Sequence, residues 1–152
     1  MKDLKIKSVE ADNKKKLIHL TYSSDKKISI TYESLGIRIP IERIWVDAET
    51  RGKSVGFLLN NGETNYMPYD QALAIVKDPE YMIQNQMEII VAKIKLLLEK
   101  KISGKKIDLK NNLSKTKIHT LLKSLAKKNL VQLYQIASSL GLEIEIALKK
   151  AA

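Results

Sequence analysis

The sequence predicts an α+β protein: a small antiparallel β-sheet domain over residues 1–78, followed by a basic all-helical domain over 79–152 with a short closing strand. Three observations carry this. Apolar and polar residues alternate through most of the first half, which is the period of a strand with one buried face. After Pro68 the apolar period lengthens from two to about 3.6 residues, the period of a helix. The charge is also split unevenly. Residues 1–82 hold 13 Lys/Arg against 12 Asp/Glu, whereas 83–152 hold 14 Lys against 5 Asp/Glu, so nearly all of the formal +10 lies in the second part. A lysine-rich coding bias raises lysine everywhere and does not remove carboxylates from one half. The asymmetry therefore points to a polyanion-binding part joined to a neutral one.

Leu4, Ile6 and Ser8 suggest an opening strand. Ile18, Leu20 and Tyr22 then alternate with Leu17, His19 and Thr21. After a polar Ser23-Ser24-Asp25-Lys26 turn, Ile28, Ile30 and Tyr32 alternate with Ser29 and Thr31, which completes a hairpin. Ile37, Ile39 and Ile41 follow Gly36 as another strand, and Pro40, lacking an N–H, assigns it to an edge. A second hairpin joins 55–59 to 64–67 through Asn60-Asn61-Gly62, residue types that accept positive φ. Asp70 caps a short helix containing Ala72, Leu73 and Val76, which ends at Asp78-Pro79.

Pro79 suits the first turn of a longer helix reaching about residue 100, with Ile83, Met87, Ile90, Val91, Ile94, Leu97 and Leu98 at helical spacing. Ser114 is the N-cap of a helix over 115–128 whose apolar face is Ile118, Leu121, Leu122 and Leu125. Lys115, Thr116, His119, Thr120 and Lys123 lie roughly opposite. A last helix runs over 130–140, and Gly141 supplies the left-handed residue that stops it, with Leu142 packing back. Ile144, Ile146 and Leu148 alternate with Glu143, Glu145 and Ala147 as the closing strand.

The absence of cysteine excludes disulfides, thiolate zinc sites and a cysteine nucleophile, and fits a reducing cytoplasm. The first seven residues lack the continuous apolar run of a secretory signal. The apolar stretch 87–98 is broken by Glu88, Lys93 and Lys95, short of the roughly 20 apolar residues that cross a bilayer. A cytoplasmic protein without a membrane partner is expected. Only His19 and His119 are present, and His19 falls mid-strand, where a structural role is the default. Tyr66, Tyr69 and Asp70 have no partnered base, and no phosphate-binding, dinucleotide, nucleophile-elbow or zinc-protease motif occurs. No enzymatic activity, cofactor or metal is expected.

The run Leu113-Ser114-Lys115-Thr116-Lys117-Ile118-His119-Thr120-Leu121, followed by Leu130-Val131-Gln132-Leu133-Tyr134-Gln135-Ile136-Ala137-Ser138-Ser139-Leu140-Gly141-Leu142, resembles the recognition helix and next helix of lambda-repressor-like helix-turn-helix regulators. The resemblance implies that Leu113, Ile118 and Leu121 anchor the recognition helix. It makes Ser114, Lys115, Thr116, His119, Thr120 and Lys123 the DNA-facing positions. In the preceding helix of that family a small residue and a turn glycine are usual. Asp108 and Asn112 stand in those places here, and polar Asn111 replaces an apolar residue. The first half loosely resembles small uncharacterised bacterial α/β domains sometimes fused to such a module, which implies an architecture and no activity.

The function expected is therefore that of a bacterial or phage DNA-binding regulator whose partner is double-stranded DNA. Lys105, Lys106, Lys110, Lys127 and Lys128 would neutralise phosphates while the 115–128 helix enters the major groove. The alternative is an antitoxin-like or inhibitor-like module that binds a protein partner through a sheet edge or the basic surface. A homodimer would form through the 83–98 helix or the 143–148 strand, unless either packs inside the monomer.

Overall fold

The computed structural model describes residues 4–106, 109, 110, 113–145, 147, 148 and 150. Among the described residues it is a mixed α/β structure with two three-stranded antiparallel sheets and four α-helices, and it divides into two compact units, Met1–Met82 and Ile83–Ala152. Strands β1 (Ile6–Asp12), β2 (Leu17–Tyr22) and β3 (Lys27–Thr31) form the first sheet in that order. Strands β4 (Ile41–Val46), β5 (Ser54–Leu59) and β6 (Thr64–Pro68) form the second.

The alternation in β2 and β3 does what a two-residue period dictates. Ile18, Leu20, Tyr22, Ile28 and Ile30 turn inward to one core, which Val55, Phe57, Leu59 and Met67 of the second sheet share. The sheets are tied at Asn13. Its side-chain amide donates to the Ile41 carbonyl at 2.9 Å, and its carbonyl accepts from the Ile41 N–H at 2.9 Å and the Tyr32 hydroxyl at 2.7 Å. The Tyr22 hydroxyl, buried beneath the sheets, donates to the Tyr69 carbonyl at 2.6 Å, and burial pushes that phenol well above its ordinary pKa. The Asn60-Asn61-Gly62 turn closes with Gly62 at φ 89°, and the Leu59 N–H donates to the Glu63 carbonyl.

One strand is displaced from its expected place. Residues 37–40 form no strand, and β4 begins where the expected one ends, at Ile41. Pro40 has no N–H to give a ladder, so Ile37 packs into the core from irregular backbone while Ile44, Trp45 and Val46, all strong β-formers, carry the pairing.

Helix α1 (Gln71–Ile75) is a short clamp that buries Ala72 and Leu73. Helix α2 (Pro79–Ile102) is 24 residues long and matches the expected span closely. In the second unit α2 packs with α3 (Lys115–Ser124) and α4 (Leu130–Ser139) around Ile94, Leu98, Leu109, Ile118, Leu125, Leu133 and Leu140. The 115–128 helix is α only to Ser124; a 3-10 turn takes Leu125–Lys127, and Lys128 is extended. The chain must leave the helix there because Asn129 caps α4 in a capping box, its side chain accepting from the Gln132 N–H at 2.9 Å while Gln132 accepts from the Asn129 N–H at 3.0 Å. At the other end of α4, Gly141 at φ 74° completes a Schellman motif: the Leu142 N–H donates to Ala137 and the Gly141 N–H to Ser138. The closing strand is not found among the described residues of 143–148, and Leu148 is 98% exposed. Alternation gives a face but not a neighbour, and a strand needs a ladder partner for its N–H and C=O groups. Ile146 lies outside the described residues.

Candidate nucleic-acid interface

Helix α3 is built so that one side is fixed and the other is presented. The Ser114 Oγ accepts from the Lys117 N–H at 3.3 Å, which starts the helix and leaves the serine hydroxyl proton free to donate elsewhere. Ile118 and Leu125 are buried, and Leu113, Leu121 and Leu122 are half-buried against the same core. At 100° per residue this apolar arc leaves Thr116, His119, Thr120 and Lys123 on the opposite face. All four are exposed, as are Ser114 and Lys115. The Thr120 hydroxyl donates to the Thr116 carbonyl at 3.0 Å, so its oxygen is left as an acceptor and its methyl group as an apolar contact.

Lys105, Lys106, Lys110 and Lys127 are exposed, whereas Lys128 is half-buried and offers less of itself to a ligand. Lys110 is held by its backbone: its N–H donates to the Leu140 carbonyl at 3.0 Å, and neighbouring Leu109 is buried in the core. That places Lys110 at the C-terminal end of α4, while Lys127 and Lys128 precede its N-cap, about 15 Å away along the helix. Lys110 and Lys127 thus lie at opposite ends of α4, while Lys105 follows α2, its N–H donating to the Lys100 carbonyl at 3.2 Å, so the phosphate candidates sit at more than one place in the unit. Helix α4 itself carries no charged residue. Its exposed side chains are Val131, Gln132, Gln135, Ser138 and Ser139.

Lys117 joins the residues expected from the sequence: it is exposed on α3, about 100° round from Ile118. Its position off the apolar stripe is the signal that finds it. The places of Asp108, Asn111 and Asn112 in the preceding segment lie outside the described residues, and Ser103, Gly104, Lys105, Lys106, Leu109 and Lys110 around them are turn or irregular.

In the first unit, Glu10, His19 and Ser29 stand in one cross-strand row, and the His19 Nδ1 lies 2.7 Å from the Ser29 Oγ. These are ladder neighbours on a solvent-facing sheet, a placement that explains the contact without chemistry. A groove of about 460 Å³ lies elsewhere in the unit, with Ile37, Ile39, Phe57, Leu59 and Met67 as its apolar part and Arg38 and Glu63 among its polar residues. Among the described residues no three His, Cys, Asp or Glu side chains come together to hold a metal ion, and no helix is long and apolar enough to cross a membrane. No family model, curated protein or solved structure matches the chain.

Proposed function

We propose that residues 83–152 bind double-stranded DNA and that the chain is a bacterial or phage cytoplasmic transcription regulator with no catalytic role. The observation that carries this is α3: a short helix anchored through Ile118 and through Leu125 just past its end, with Thr116, His119, Thr120 and Lys123 turned to solvent on the far face. Such a rod, capped by Ser114 and bearing short polar side chains, suits the major groove. The resemblance of 113–142 to lambda-repressor-like regulators supports the same assignment of recognition helix.

Lys105, Lys106, Lys110 and Lys127 contact phosphates, with Lys128 contributing least, and Lys117 joins them from the side of α3. The second unit contains no arginine, so base reading falls to Lys, Thr, His and Ser. Discrimination per base pair is correspondingly modest. The test is enrichment of duplexes from a randomised pool, followed by titration of the winner and of unrelated duplex. Lys115→Ala with Thr120→Ala should weaken the selected duplex by more than the unrelated one. Equal weakening, or no enrichment, refutes a sequence-reading helix.

A second reading, a protein-binding module, is favoured by the open edge of β6. Lys53 pairs with Tyr69 and Leu59 with Glu63 through backbone hydrogen bonds, so by alternation Thr64, Tyr66 and Pro68 turn their backbone groups away from β5. Tyr66 is 60% exposed there and meets Trp45 edge-on at 6.2 Å, while the Arg43 guanidinium lies 4.8 Å from the indole centroid. Trp, Tyr and Arg are the side chains that dominate protein interfaces. Isolation of the chain from its cell with and without nuclease separates the two readings: co-purifying protein that survives nuclease supports the second.

A further inference from the structure

Helix α2 is apolar on two faces. Met87, Ile90, Val91, Ile94, Leu98 and Ile102 belong to the core of the second unit. On the other side Ile89 and Leu96 are 40% and 52% exposed. They are seven residues apart, with exposed Ala92 and half-buried Asn85 between and before them. The order 85, 89, 92, 96 alternates steps of four and three, so these residues form one outward seam of the kind two helices share. A helix that has used one apolar face and left such a seam uncovered has room for one more helix.

The charges beside the seam say which helix. Glu88 and Lys95 border it on one side and Gln86, Lys93 and Lys100 on the other, and exposed Glu99, the next step of three after Leu96, ends it. Two copies laid antiparallel, with Ile89 against Ala92 of the second copy, bring each Glu88 to Lys95 of the other, twice by symmetry. Gln86 then faces Lys93, and no like charges meet. A parallel pair aligns Glu88 with Lys93 but sets Lys95 against Lys100, a repulsion repeated by symmetry. We propose that the Asn85–Ile89–Ala92–Leu96 seam of α2 pairs antiparallel with the same seam of a second copy of this chain. The inference is independent of whether the chain binds DNA.

Sedimentation equilibrium of the full chain tests it. The seam is short, so the concentration range must reach about 0.5 mM, as a small interface demands. The mass should climb from 17.2 kDa towards twice that value as concentration rises. Ile89→Lys with Leu96→Lys should stay at the single-chain mass with unchanged circular dichroism. Glu88→Lys should weaken association about tenfold, and Glu88→Lys combined with Lys95→Glu should restore it. The chain has no cysteine. Ile89→Cys and Ala92→Cys chains, mixed and oxidised, should therefore give a disulfide-linked heterodimer in preference to either homodimer. A single-chain mass throughout overturns the proposal, as does preferential cross-linking of Ile89→Cys to itself, the mark of a parallel pair.

Discussion

Replacing Gly141 by alanine should destabilise the second unit by about 2 kcal/mol, through two separable effects. The residue sits at φ 74° in the Schellman turn, and a side chain there costs about 1 kcal/mol in backbone strain. Its new Cβ would also lie 2.8 Å from the Lys110 Cβ, closer than carbons tolerate, so the 109–110 segment must move. That movement strains the Lys110 N–H bond to the Leu140 carbonyl and the burial of Leu109, about 1 kcal/mol more. Gly104 is the control. It has φ 78° in the same unit, and a methyl group there would meet nothing within 4 Å, so Gly104→Ala should cost only the backbone strain, about 1 kcal/mol. Urea unfolding followed by far-ultraviolet circular dichroism reads both, with midpoints lowered by about 2 M and 1 M if the slope is about 1 kcal/mol per molar. Equal losses in the two variants would refute the close approach of Lys110 to the end of α4.

Asn129→Ala removes the side-chain acceptor of the Gln132 N–H, leaving only the reciprocal bond from the backbone N–H of residue 129 to Gln132, and should cost about 1 kcal/mol in the same assay. Gly56→Ala drives a Cβ to 2.4 Å from the Trp45 indole, so the sole tryptophan must lift off the sheet, and its emission should shift to the red with the fold otherwise kept. The Lys26 ammonium donates to Asp78 at 2.8 Å and to Glu80 at 2.7 Å. The ammonium bond holds the Asp78 carboxyl below its ordinary 3.8, and the two carboxylates, Asp78 first, raise the lysine above 10.5. The depressed acid stabilises the fold above its ordinary pKa and loses that contribution as pH falls through the lowered value. The raised base contributes fully below 10.5 and loses its share as pH rises past its folded value. Asp78→Asn should thus cost about 1 kcal/mol at neutral pH, a deficit that vanishes as pH falls through the lowered pKa of Asp78, read by thermal melts across pH. An unchanged deficit at low pH would assign the loss to packing.

How far the sequence reveals the molecule depends on which residues speak through local rules. The hairpins of β2–β3 and β5–β6 are legible because Ile18, Leu20, Tyr22, Ile28 and Ile30 alternate and Gly62 needs its positive φ. The caps at Ser114 and Gly141 are likewise visible as residue types with fixed geometries, whereas Asp70, of the same type as many caps, makes no side-chain cap bond, and the Asn129 capping box emerges only with its Gln132 partner in place. What stays hidden is decided by non-local partners. Ile37, Ile39 and Ile41 alternate like a strand, but Pro40 lacks the donor, and pairing passes to Ile44, Trp45 and Val46 opposite β5. That the strands divide into two sheets tied at Asn13 leaves no local trace. Within the candidate interface, the exposure of Thr116, His119, Thr120 and Lys123 follows from helical periodicity alone. The half-burial of Lys128 and the anchoring of Lys110 beside α4 depend on tertiary contacts that no spacing rule announces.

The most direct measurement is the affinity of the full chain for a duplex of about 20 base pairs as a function of salt, followed by fluorescence anisotropy. With Lys105, Lys106, Lys110, Lys117 and Lys127 engaged and Lys128 contributing least, the logarithm of the binding constant should fall with the logarithm of salt at a slope of about −5. Lys105→Ala, Lys106→Ala and Lys110→Ala together should make it shallower by about 2.7. Absence of duplex binding at low salt, or a slope that those three changes leave untouched, would contradict a DNA-binding second unit built on these residues.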